Sequence, residues 1–166
     1  MPITPFHFGP GAAIHALAPR RISFLAFGAS NVLIDLEPLY FMLTGQDPLH
    51  RFFHTYIGAS LVASFAVLLF MGCRSLSVRF PLPNPFKWQG LGVWPVVAGA
   101  FAGTYSHIAL DSIMHFDIRP LAPFSNANPF YLAVSIDDLH RLCVVAGAIG
   151  LGVLGVRRLL RLVNVD

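Results

Sequence analysis

The chain predicts an all-α protein, a polytopic membrane helical bundle with four transmembrane helices and a short N-terminal helix. Three observations carry that reading. Hydrophobic residues make up 55% of the sequence and charged residues only 11%, where a soluble domain carries about a quarter. The mean hydropathy is +0.66. The apolar residues are grouped into stretches separated by short connections rich in proline and arginine. A length of 166 residues suits one domain, so residues 1–166 are read as a single integral membrane domain.

The N-terminal segment Pro5–Ala18 is apolar but spans only about 20 Å as a helix, too short for a full crossing. No positive residue precedes it and Arg20-Arg21 follows, so it is expected to stay in place rather than act as a cleaved leader. It either lies flat or descends as a short fifth element. The first span is Ile22–Leu43 and the second Tyr56–Gly72. The connection Ser75–Gln89 holds Pro81, Pro83 and Pro85 among aromatic residues and reads as an extended interfacial loop. Gly92–Met114 is the third span. The loop Phe116–Ser135, with Pro120, Pro123 and Pro129, is expected to form an ordered cap. Leu142–Val156 is the fourth span, short on its own but extended by Leu159, Leu160, Leu162 and Val163. Ser135 or Asp137 is placed to cap its start.

The net charge of +3 is no nucleic-acid signal, because the basic residues mark topology. Arg20, Arg21, Arg74, Arg79, Lys87, Arg157, Arg158 and Arg161 fall on one side if the spans alternate. Arg51, Arg119 and Arg141 fall on the other. The positive-inside rule then assigns the first group to the cytoplasm. Cys73 and Cys143 sit on opposite faces of such a bundle, too far apart for a disulfide.

Against this apolar background the ionisable residues stand out. Asp35 and Glu37 interrupt the first span, His50 and His54 open the second, and His107 and Asp111 lie within the third. Charges at such depth are costly and mark functional sites. At about 1.5 Å per residue, Asp35 lies about 20 Å above Arg21, and His107 and Asp111 about 22 and 29 Å above Gly92. The second and fourth spans begin at the same level with His50 and His54 and with Asp137, Asp138 and His140. Residues four apart share a helix face, so His107 with Asp111 and His50 with His54 are each two convergent metal donors. Imidazole and carboxylate together suit zinc best, with manganese or iron as alternatives. His115 follows the third span and is a further candidate. His15 is read as a packing residue, and Asp47 and Asp117 as solvated loop charges.

These residues resemble a family. Thr4-Pro-Phe-His7, Asp35-Leu-Glu37-Pro38, His50-Arg51-Phe-Phe-His54-Thr55, Ser106-His107-Ile-Ala-Leu-Asp111 and Pro120-Leu-Ala-Pro123 follow one another over residues 4–124. That order is similar to the LexA-regulated, inner-membrane-associated metal-dependent hydrolases. Glu37 stands where that pattern has a second Asp, the His that usually precedes the proline is missing, and the two histidines are four rather than five apart. The resemblance implies His7, Asp35, His50, His54, His107 and Asp111 as metal ligands. A more distant likeness is to the zinc-dependent phospholipases C.

The expected function is metal-dependent hydrolysis of a phosphoester in a lipid or cell-envelope component, at the non-cytoplasmic face of a bacterial inner membrane. Glu37 or Asp35, whichever is free of metal, is the expected general base. Arg51 is placed to bind a phosphate, because its planar fork matches phosphate oxygens. Proton or metal-ion transport, and a scaffold whose polar cluster only fixes helix packing, remain open at this point.

Overall fold

The computed structural model describes residues 5–163, with side chains to residue 160. Every regular element among the described residues is helical. A 3-10 turn, Pro5–His7, leads into α1 (Phe8–Leu17), followed by α2 (Phe24–Ile34), α3 (Leu36–Leu43), α4 (Tyr56–Ser77), α5 (Val93–Met114) and α6 (Ile136–Val163).

Three helices are long and apolar enough to cross a membrane. They are α4 and α5, each of 22 residues, and the 25-residue stretch Ile136–Leu160 of α6, with mean hydropathies of 2.0, 1.2 and 1.8. The stretch expected as the first span, Ile22–Leu43, is divided into α2 and α3 at Asp35, whose ψ of −8° departs from a regular helix. Pro38 accounts for the break. It has no N–H for the Ile34 carbonyl, and its ring crowds that carbonyl. The expected fourth span is longer than residues 142–156. Ser135 Oγ accepts the Asp138 amide at 3.2 Å and starts α6 at Ile136.

The helices meet through small residues. Gly99 and Gly103, one turn apart on α5, leave no room for a side chain against the carbonyls of Ser23 and Phe27 on α2. Ala59, Ala63 and Ala66 of α4 close on Ile34, Ala100 and Ile108. α6 joins the bundle chiefly through α1, where Gly9 abuts the Cys143 carbonyl and Gly150 abuts the backbone of Ala12. Where lipid surrounds helices, such close backbone approach is what holds them together. Many large apolar side chains point outward instead, among them Leu61, Phe65 and Leu68 on α4 and Leu142, Val145 and Ile149 on α6. This reverses the arrangement of a water-soluble core.

Contacts along each pair fix the direction of travel. α2 and α5 run the same way, because Ser23 N donates to Pro95 O (2.8 Å) and, further along both, His107 Nδ1 pairs with Asn31 Oδ1 (3.1 Å). α1 runs alongside α6: Phe6 stacks on His140 at one end, and Arg157 donates to the Ala16 carbonyl (2.6 Å) at the other. α1 therefore runs alongside α6 from the level of His7 to that of Arg20 and Arg21. Arg20, Arg21 and Arg157 border one depression, and His15 fastens the turn through the Ile22 carbonyl (2.6 Å).

The loop after α5 is an ordered cap, as expected. Ile118 and Pro120 are fully buried, the Pro120 carbonyl accepts the Tyr56 amide (3.0 Å), and Asn128 Nδ2 donates to the Ser112 and His115 carbonyls at the end of α5 (2.8 and 3.1 Å). The packing generates a paired prediction. Gly150→Leu forces a side chain into the backbone of α1 and should cost about 1–3 kcal/mol. Gly152→Leu, where a side chain meets nothing within 4 Å, should not lower the thermal midpoint in detergent.

Candidate metal centre

The breaks and ends of the helices assemble the site. The Pro38 kink puts Asp35 at the junction of α2 and α3. Although Asp35 occupies the cap position of α3, its side chain makes no capping bond there. It turns toward α5, where His107 and Asp111 share the inner face one turn apart. His54 arrives from a 3-10 turn just before α4.

Four donor atoms, one each from Asp35, His54, His107 and Asp111, lie within 4.8 Å of one another. His107 Nε2 is 3.2 Å from Asp35 Oδ1 and 3.1 Å from Asp111 Oδ2, and His54 Nε2 is 3.9 Å from each of those oxygens. The residues are 0–4% exposed. Asp35 Oδ1, His54 Nε2 and His107 Nε2 are buried without a hydrogen-bond partner. An unpaired buried polar atom costs roughly 1–3 kcal/mol, so three directed at one point describe a place for a cation.

The far side of each ring is anchored. Asn31 Nδ2 donates to the Phe27 carbonyl (2.8 Å), which leaves Asn31 Oδ1 to accept from His107 Nδ1 (3.1 Å). Glu37 Oε2 accepts from His54 Nδ1 (3.3 Å). With Nδ1 carrying the hydrogen, each neutral ring presents its Nε2 lone pair to the cluster. Metal-binding histidines are oriented by such outer partners. A protonated His107 bridging the two aspartates is the structural alternative, but it leaves His54 Nε2 unsatisfied. A divalent cation would satisfy all four donors and supply the counter-charge for two buried carboxylates. Among the described residues, the arginine–carboxylate ion pair is Arg141 with Asp138, remote from them.

His7 stacks on His107 with centroids 4.3 Å apart, and its Nε2 donates to Asp111 Oδ1 (2.9 Å). It is thus brought to the cluster, held on the Asp111 carboxylate. Thr4, at the head of the same motif, lies outside the described residues. Glu37 faces away from the four atoms and also accepts the backbone amides of Arg51 (3.2 Å) and Phe53 (3.1 Å). Arg51 closes its own loop through the carbonyls of Pro48 (3.0 Å) and Asp47 (3.4 Å) and stacks on Phe41.

His50 and His54 do converge, with centroids 4.7 Å apart, but not through a helical face. Thr55 caps α4 by accepting the Gly58 amide (3.0 Å), so both histidines precede the helix. Asp117 is no solvated charge. It accepts the His50 ring Nδ1 (3.0 Å) and backbone amide (3.1 Å). Burial raises its pKa, but these His50 bonds outweigh it and hold the carboxyl below its ordinary value. His115 lies against His50, with centroids 4.5 Å apart. Asp137 and Asp138 are exposed at the start of α6, and His140 stacks on Phe6 outside the cluster.

Sequence reasoning passed over Asn31. Its signal was present: an amide in an apolar span, four residues before Asp35 and so on the same face. Comparison with protein-family models, curated proteins and solved structures gives no match.

The outer partners can be tested directly. Asn31→Leu and Glu37→Gln should each weaken metal binding about 10–100-fold, measured by competition with a chromophoric chelator. An affinity unchanged in both would remove their orienting role.

Proposed function

We propose that the protein is a membrane-embedded, metal-dependent hydrolase acting on a phosphoester of a lipid or cell-envelope component. The observation that carries the reading is the convergence of Asp35, His54, His107 and Asp111 within 4.8 Å, with three of their atoms buried and unpartnered. Two imidazoles and two carboxylates suit zinc, with manganese or iron as alternatives. The resemblance to the LexA-regulated inner-membrane hydrolases supports these four residues as ligands, and implies His7 and His50 beside them.

A metal held by these four residues would lower the pKa of water and polarise a phosphoryl oxygen. The chain's own residues do the rest. Asn31 and Glu37 fix the two imidazoles, and His7 holds Asp111. Both carboxylates expected to act as base are otherwise engaged: Asp35 is one of the four donors, and Glu37 accepts from the His54 ring and from the Arg51 and Phe53 amides. Arg51 and Arg119 border a cavity of about 410 Å³ that reaches His50, which places positive charge where an anionic substrate would approach.

In this reading α2 and α3 together make a fourth crossing, and α1 descends beside α6. The basic end faces the cytoplasm of a bacterial inner membrane by the positive-inside rule, and the site faces the other side. The interior between the two ends supports a one-sided site over a relay. Among the described residues, its buried polar side chains are Ser23, Ser30, Asn31 and Thr104, and none of these offers a titratable step.

Protein purified in detergent should carry a divalent metal and hydrolyse a phosphodiester or phospholipid. A chelator should abolish that activity and metal should restore it, while Asp35→Asn and His107→Ala should remove it. Metal present at about 1,000 times its Kd should add about 4 kcal/mol of stability. A metal-free preparation with the same thermal midpoint before and after metal addition would end the reading. A tag at residue 1 should be reached by impermeant reagent only from the non-cytoplasmic side. Labelling from the cytoplasm would reverse the topology.

A further inference from the structure

Beyond the four-residue centre, a second group of donors joins His50 and His115 to Asp111. His50, Asp111 and His115 each offer an atom within 4.8 Å of the other two. Asp111 thus belongs to both groups. His50 Nδ1 is committed to Asp117 (3.0 Å), so Nε2 is its free coordinating nitrogen. The carboxylate behind that ring is the same device that orients metal-binding histidines elsewhere.

We propose that a second divalent cation binds at His50, His115 and Asp111, with Asp111 shared between the two cations. The proposal rests on the metal reading of the first centre and adds where the substrate meets it. The two positions differ in access. The residues of the first are 0–4% exposed, a closed site. The second lies at the wall of a cavity of about 520 Å³ lined by Pro38, Pro48, His50, His115 and Asp117. Structural metals are closed off by protein donors, whereas catalytic metals keep a position open. Three protein donors beside a cavity meet that requirement.

The chemistry of the surroundings names the ligand class. Arg51 and Arg119 lie along the adjoining cavity that His50 and Asp117 also border. A cation held by two imidazoles and one carboxylate, with guanidinium groups nearby, suits a phosphoryl oxygen, with the remainder of a phosphoester lying over the apolar wall. Paired cations clamp the attacking and leaving oxygens of a phosphoryl displacement. Asp111 has the position to hold them together, because it faces His107 on one side and the His50–His115 pair on the other.

The test counts cobalt. Protein in detergent is stripped with chelator, titrated with Co²⁺, desalted and measured by elemental analysis. Wild type should retain two equivalents. His115→Gln and His50→Gln should each retain one, and Asp111→Asn should lose the shared carboxylate and fall below one. The cobalt electron paramagnetic resonance signal should grow with the first equivalent and be attenuated by the second, as coupled ions require. One equivalent in wild type, unchanged in His115→Gln and His50→Gln, overturns the second site and leaves the first standing. No retained metal in wild type overturns both. Two equivalents that survive both substitutions place the second ion elsewhere and overturn the assignment. Each variant's thermal midpoint is measured alongside, and if His115→Gln does not fold, the His50→Gln count decides.

Discussion

The fold is organised by one electrostatic requirement. Two carboxylates, Asp35 and Asp111, are removed from water beside His54 and His107, with no arginine or lysine paired to them among the described residues. Removing a carboxylate from water costs several kcal/mol even after the surroundings relax. Hydrogen bonds within the cluster do not offset that, since three of its atoms have none. The polar shell outside it is complete by contrast: Asn31 on His107, Glu37 on His54, His7 on Asp111 and Asp117 on His50. A shell that fixes these rings while leaving the centre unsatisfied is an arrangement that a divalent cation could complete.

Holding that geometry demands close helices. Gly99 and Gly103 bring α5 against the α2 backbone, which sets the His107–Asn31 distance and lets Asp35 reach α5. Gly9, Gly147 and Gly150 bring α1 and α6 into contact, and α1 in turn delivers His7. Of the large side chains, Phe27, Ile34 and Ile108 are buried between helices, while many others contribute to the outer surface. Stability and site geometry therefore depend on the same small residues, and enlarging one of them disturbs both.

Much of the site was legible in the sequence because the apolar background is so uniform. Asp35, His107 and Asp111 stood out by charge at depth, and helical rise was enough to bring them to one level. The ordered loop after α5 and the start of α6 at Ser135 were legible from proline spacing and capping chemistry. What was not legible depended on departures from regular helices. Pro38 divides the first expected span, and Thr55 starts α4 after both histidines, so their convergence is made by a turn and not by helical spacing. Asn31 and Asp117 act through other residues, and an outer partner shows itself only when the ring it holds has been placed. The small-residue spacing Gly99-xxx-Gly103 was readable and went unused.

Those departures are also what give the site its asymmetry. A regular helix carries its donors at fixed intervals along a face and buries them equally. A kink at Asp35, a turn at His54 and a helix end at His115 put donors where backbone direction changes, at the level where the bundle meets its capping loop. On the inner side of that level, α2, α4 and α5 close tightly over His107. On the outer side, the loop residues His50 and Asp117 stand beside open volume. One aspartate on α5 touches both environments. The same carboxylate can therefore belong to a closed position that holds a cation firmly and to an open position that a substrate can reach, a division of labour that four equally buried ligands could not provide.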